Sequence, residues 1–270
     1  MKYSLVIAPE TARPPLVAVY RGPVAAGLAK AAALGYDGVE ISLASGREID
    51  WSLLPPLLRT HQLAISVLST GRIYGEEQLY FSHPEPALRD QAVDRVKEII
   101  AVAGRFGSKV SLSRIRGPLP ENEKTGAPLA RVIECIRECA DYALPLGVEL
   151  LLEPVNRYEL NLIHSLPEGL SFLKRLERPN VRLLADVFHM NIEDASIEGD
   201  LMAAGQAVGY LHFADSNRLA PGRGHLDFAA ILRAAAHIGY DGFISLEMLP
   251  LPDPDHAARI AIEYLRSLSF

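Results

Sequence analysis

Short apolar runs alternate along the chain with longer stretches of helical spacing. The apolar runs are Tyr3–Ala8, Gly38–Leu43, Ala64–Thr70, Lys109–Ser113, Val148–Pro154, Val181–Asp186, Gly209–Ala214 and Gly242–Leu249. Within them apolar residues fill consecutive positions rather than alternate ones, as in Leu150-Leu151-Leu152 and Leu183-Leu184-Ala185. A strand that is apolar on both faces belongs to a sheet covered on both sides, which predicts parallel pairing. The intervening helices are read at Val24–Leu34, Pro86–Phe106, Leu129–Leu144, Phe228–Ile238 and Asp255–Leu268. Ala92, Val93, Val96, Ile99, Ile100 and Ala103 give Pro86–Phe106 a single apolar stripe. Gly35 and Gly239 end two helices, and Asp227 stands where an N-cap belongs.

Eight strands, each followed by a helical segment, predict an α/β fold of the (β/α)8 TIM-barrel kind, one domain over residues 1–270. A doubly wound open sheet is the alternative; the count of eight and the even spacing favour the barrel. The longest irregular segments, Gly71–Glu85, Arg114–Ala127 and Ser216–Gly224, all follow strands, on the side where a barrel carries its chemistry.

Composition narrows the class. With 49% hydrophobic and 22% charged residues, the chain is ordinary globular protein, not disordered, collagenous or coiled coil. No apolar run reaches the roughly 18 residues of a spanning helix, so no membrane partner is expected. The opening residues read as a strand rather than a signal peptide, which makes the cytoplasm the expected location. A net charge of −6 lacks the basic excess of a general nucleic-acid binder. Cys135 and Cys139 lie four apart in a helical stretch and are expected to be buried free thiols.

The candidate chemistry collects at the strand ends. Strand five ends at Glu153, strand six at Asp186, strand seven carries His212 and strand eight Glu247. Each interrupts an apolar run where burial should be deepest, and a buried carboxylate is costly unless something offsets its charge. Four consecutive strands delivering three carboxylates and an imidazole to one rim suit a hard to borderline divalent cation, Mn²⁺, Mg²⁺ or Co²⁺. The competing reading is four separate ion-paired residues.

The segments Glu153-Pro-Val-Asn-Arg-Tyr-Glu159, Asp186-Val-Phe-His189, His212-Phe-Ala-Asp-Ser-Asn-Arg218 and Ser-Leu-Glu247 resemble the ketose 3-epimerases among the xylose-isomerase-like barrels, the group typified by D-tagatose 3-epimerase. Ser-His83-Pro, Arg116-Gly and Glu247-Met-Leu-Pro-Leu-Pro look most like the 5-keto-L-gluconate epimerases of that group. The resemblance implies metal ligation by Glu153, Asp186, His212 and Glu247, and substrate contact by Glu159, His189 and Arg218. It implies epimerisation beside a ketone through an enediolate, with Glu153 and Glu247 as the two bases. Mn²⁺ is the expected metal, a small ketose or keto-sugar acid the expected substrate, and a dimer or tetramer a possible assembly.

Arg72 and Arg223 depart from the family pattern, which leaves the substrate open. Arg116, Arg72 and Arg223 are the candidates for a sugar acid's carboxylate, since a guanidinium offers it a bidentate fork. His83 is a candidate pocket residue. Glu40 either faces the pocket or is a paired rim carboxylate; Asp215 is a candidate partner of a metal ligand; His225 reads as structural. Trp51, Met190 and Met248 read as packing residues. Aldose–ketose or hydroxypyruvate isomerisation and inosose-type dehydration fit the same ligand set. A DNA-repair endonuclease shares the barrel but would want more His and Asp ligands and a basic groove.

Overall fold

In a computed structural model, residues 1–14, 16–120 and 126–268 are described. Eight parallel strands form the barrel: β1 (Lys2–Ala8), β2 (Gly38–Ser42), β3 (Ala64–Ser69), β4 (Lys109–Leu112), β5 (Leu150–Leu152), β6 (Val181–Asp186), β7 (Val208–Phe213) and β8 (Phe243–Leu246). They pair in sequence order, and β1 pairs with β8 in register Lys2–Phe243 to Leu5–Leu246, which closes the barrel. A two-residue strand, Tyr20–Arg21, adds to the end of β1. The helices are α1 (Val24–Ala33), α2 (Leu54–His61), α3 (Pro86–Phe106), α4 (Gly126–Ala143), α5 (Leu166–Leu176), α6 (Val187–Glu193), α7 (Ile197–Ala204), α8 (Phe228–His237) and α9 (Pro254–Ser267).

The consecutive apolar residues of the strands face two environments. Leu5, Ile7, Ile41, Leu68, Val110, Leu112, Leu150 and Leu152 pack under the helices in one large core. Val67, Leu151, Leu184 and Tyr210 fill the barrel interior. Its axis also carries a polar chain: Ser66 Oγ is 2.7 Å from both Ser4 Oγ and the Tyr210 hydroxyl.

α3 has the bounds expected from its stripe, and Asp227 caps α8 by accepting from Ala230 N–H at 2.9 Å. Cys135 and Cys139 are buried free thiols. β5 and β8 are shorter than expected. Pro154 has no N–H to extend the β5 ladder, and the Val148 N–H is taken by Ala143 O. Of the three irregular segments, Gly71–Glu85 contains a π-helical turn at Ile73–Glu77 and Arg114–Ala127 begins with a 3₁₀ turn at Arg114–Arg116. Residues 121–125 of the latter lie outside the described ones. Among the described residues no helix is long and apolar enough to cross a membrane.

Candidate active site

Glu153, Asp186, His212 and Glu247 converge at the C-terminal rim. One ligand atom from each lies within 4.8 Å of the others, and the first three residues are buried. Their strands dictate this. Parallel neighbours in register bring the ends of β5 to β8 side by side; Asp186, for instance, is paired with His212. Asp186 has a second task as N-cap of α6: its Oδ1 accepts from Phe188 N–H at 2.9 Å, leaving Oδ2 free.

The cluster is charge-frustrated without a cation. Glu153 Oε1, Asp186 Oδ2 and His212 Nδ1 are buried and have no hydrogen-bond partner. His212 Nδ1 stands 3.4 Å from Glu153 Oε1 and 3.9 Å from Glu247 Oε2. Burial pushes the Asp186 carboxyl up to about 8, and the charges of Glu247 and Glu153 add to the rise while His212 and Arg218 oppose it. Burial likewise raises Glu153. Burial alone would keep His212 neutral, but the carboxylates of Glu40, Glu153 and Glu247 outweigh it and hold the ring well above its ordinary value. Orphaned oxygens and a nitrogen converging on one point are the donor set a divalent cation of the Mn²⁺ or Mg²⁺ type needs, so these residues fit such an ion.

Glu40 stands behind this group. It is fully buried in the middle of β2, and its Oε2 lies 2.9 Å from His212 Nε2. That bond assigns the Nε2 proton and turns Nδ1 toward the cluster, the carboxylate–histidine arrangement that fixes a ligand's orientation. The expected partner role of Asp215 therefore belongs to Glu40. Asp215 is buried and instead holds the loop after β7, accepting from Ser216, Gly222 and Leu226 N–H.

Glu159, His189 and Arg218 sit beside the cluster. Arg218 Nη1 donates to Glu159 at 2.7 Å and Nη2 to Glu247 at 2.9 Å, with its guanidinium over the Phe188 ring. Its backbone is left-handed, φ 61°, held by Arg218 N–H to Asp215 O and Leu249 N–H to Arg218 O. A non-glycine residue in this conformation is costly and marks a constrained position. His189 is buried, and burial, then Arg218, keeps it well below its ordinary value, hence neutral.

Asn156, not singled out in the sequence, sets the tautomer of His189. Its Oδ1 accepts from Tyr158 N–H, so the amide nitrogen faces His189 Nδ1 at 2.7 Å and donates to it. The His189 proton is then on Nε2, 3.5 Å from Asp186 Oδ2.

The arginine expectations need correcting. Arg116 does not face the pocket. It is fully buried and donates to the carbonyls of Leu112, Glu153, Leu162 and Ile163. Burial lowers it to about 10. It braces the backbone that carries Glu153. Arg72 lines the pocket but is saturated, with five hydrogen bonds to Glu48, Glu76 and Ser42 O. Arg223 is exposed, as is His225, whose ring contacts Asn191. His83 packs on Tyr80 and accepts from Glu85 N–H rather than lining the pocket. The pocket itself has a volume of about 680 Å³, room for a sugar, and is lined by Glu153, His212, Glu247, Glu159 and Arg218 on one side.

The model of a family described as xylose isomerase-like TIM barrel matches residues 28–268. An L-ribulose 3-epimerase of Methylomonas sp. is 32% identical over 226 residues, 82% of this chain and 76% of that protein. A ketose 3-epimerase of Arthrobacter globiformis is 30% identical, covering 79% of this chain and 73% of its own length. The crystal structure of D-psicose 3-epimerase with D-tagatose from Clostridium cellulolyticum H10 superposes with a TM-score of 0.82 at 25% identity, over 99% of both chains.

Proposed function

Since the chain belongs to the xylose isomerase-like TIM barrel family, with relatives named ketose 3-epimerases, we propose that it is a divalent-metal-dependent epimerase acting on a ketose or keto-sugar acid. It is an enzyme acting on carbohydrates. The observation that carries the reading is the convergence of Glu153, Asp186, His212 and Glu247 on one point at the pocket floor, with orphaned ligand atoms. Mn²⁺ is the ion we assign to it, with Mg²⁺ or Co²⁺ as substitutes. A keto-sugar acid of the 5-keto-L-gluconate or D-tagaturonate type is the favoured substrate and a neutral ketose such as D-tagatose the next.

A cation bound by these four residues would act as a Lewis acid on the ketone and so acidify the adjacent C–H. The chain's own residues then move the proton. Glu153 comes from β5 and Glu247 from the end of β8, with β6 and β7 between them. One carboxylate removes the proton from its face of the sugar and the other side's acid returns one to the opposite face. Glu153 is the more buried, and burial raises its affinity for a proton above the ordinary carboxylate value; Glu247 is held by Arg218 and opens to the pocket. His189, neutral with Nε2–H available, and Arg218 place donors beside the developing enediolate oxygens. Glu159 positions Arg218.

The test is proton NMR of Mn²⁺-loaded protein in D₂O, with sugar acids and neutral ketoses as substrates. Deuterium at the carbon beside the ketone, with the epimer appearing, is the expected result. Exchange at the terminal hydroxymethyl carbon would make it an aldose–ketose isomerase instead. Glu153→Gln and Glu247→Gln should each lose exchange by at least about 10³-fold, the worth of a positioned base. Full activity in both variants would sink the two-base scheme.

A further inference from the structure

Four arginines line the pocket: Arg13, Arg72, Arg114 and Arg218. Three face acidic groups. Arg72 is locked between Glu48 and Glu76, Arg218 between Glu159 and Glu247, and the charge of Arg13 acts on Glu76. Arg114 differs. Among the described residues no carboxylate lies within ion-pair distance of it, and its buried Nε has no hydrogen-bond partner. Its contact is with an aromatic face, the guanidinium carbon 5.3 Å from the Tyr74 ring centroid. Stacking of that kind holds the plane of a guanidinium while leaving its N–H edge free.

Its place in the barrel gives this cation a use. Arg114 follows β4, which lies opposite β8 in the closed ring and next to β5. The β2–β4 side of the same pocket carries Ser42, Ser69, Ser111 and Ser113, whose hydroxyls suit a polyol. A substrate whose ketone end lies over the β6–β7 sector between Glu153 and Glu247 extends its other end across the pocket to the β2–β4 side, which Arg114 lines. We propose that Arg114 forms an anion subsite, taking a carboxylate or phosphate at the end of the substrate remote from its ketone. The orientation rests on the epimerase reading above; the anion binding does not.

The sequence names no difference between Arg114 and Arg116. The 3₁₀ turn at Arg114–Arg116 separates them, sending Arg116 behind Glu153 and leaving Arg114 at the cavity.

The probes are D-tagatose, D-tagaturonate and D-tagatose 6-phosphate, which differ at the remote carbon. Both calorimetric binding and epimerisation are measured on Mn²⁺-loaded wild-type protein, Arg114→Met and Arg114→Lys. We expect one anionic probe to bind the wild type better than D-tagatose, and Arg114→Met to reduce that preference roughly 10- to 100-fold through KM rather than kcat. Arg114→Lys should restore part of it. Preference for the uronate identifies a carboxylate, preference for the phosphorylated sugar a phosphate. An anionic-to-neutral ratio unchanged in Arg114→Met overturns the subsite. Arg114-dependent anion binding with no proton exchange in any probe would leave the subsite standing and overturn the epimerase reading alone.

Discussion

His212 is held from two sides, by Glu40 at one ring nitrogen and by the carboxylate cluster at the other. Glu40→Gln keeps the shape but can no longer accept in the same way with a full charge, so metal affinity should drop roughly 10- to 100-fold. Competition against a fluorescent chelator measures this; unchanged affinity would mean that Glu40 is only a core carboxylate. Arg116 makes a second residue-level prediction. Arg116→Met leaves the buried carbonyls of Glu153 and Leu162 without the guanidinium that they accept from and should cost about 3 kcal/mol, some 6–12 °C in Tm. Thermal denaturation of metal-free protein checks it, because the metal's own contribution is then removed. At this scale the sequence was readable where an ionisable residue interrupts an apolar strand, as at Glu153, Asp186, His212 and Glu247. It was unreadable where direction decides the role. Glu40 also interrupts a strand, yet only the register of β2 against β1 and β3 turns it beneath His212. Arginines 114 and 116 share a loop and differ only in which way the turn throws them.

Among the elements, helices with a long single stripe were visible in the sequence, and α3 is the clear case. α2 and α5 were not singled out because Pro55, Pro56 and Pro167 look like breaks; each lies in the first turn, where a proline costs no hydrogen bond. α6 and α7 are too short to show a period. The start of α5 carries a titratable device. Leu166 N–H points at the Asp194 carboxylate, which burial raises to about 7, with Asp200, Glu193 and Glu168 repelling it further. The folded chain thus binds this proton more tightly than the unfolded chain, whose value is near 3.9. The resulting stabilisation is complete below about pH 4 and lost as pH rises through 7. Asp194→Asn keeps an acceptor for Leu166 and never ionises. Its Tm relative to wild type should climb between pH 4 and 8 and then level off. A flat difference across that range would show that Asp194 ionises freely in the folded chain.

For the molecule as a whole, a metal bound by Glu153, Asp186, His212 and Glu247 would be coupled to stability, since the four side chains converge only when β5 to β8 are assembled. At a metal concentration of about 1,000 Kd, Mn²⁺ should add about 4 kcal/mol, roughly 8–16 °C in Tm, and a chelator should reverse it. Scanning calorimetry with and without Mn²⁺ decides this, and equal melting temperatures would remove the metal from the site. The barrel was legible at this scale because eight strands apolar on both faces leave few other ways to bury them. Its closure was read from the count of eight and the even spacing, and the pairing of β1 with β8 bears it out, although no local pattern states that those two strands are neighbours.

That seam also orders events during synthesis. Of the barrel strands, β1 is made before the other seven and its seam partner β8 after them, followed at once by Glu247. Tyr36 reaches Ala258 O and Lys30 reaches Asp255, so the helices that cover the seam also join early chain to late. A nascent chain that lacks β8 therefore carries three of the four converging side chains on an open sheet, and the step that closes the sheet is the one that brings the fourth. Closing the sheet and completing the cluster are one event, so a chain that stops before β8 lacks both, and the open strand edges that mark it for the cell's quality-control machinery come from the same missing strand that leaves the cluster unfinished.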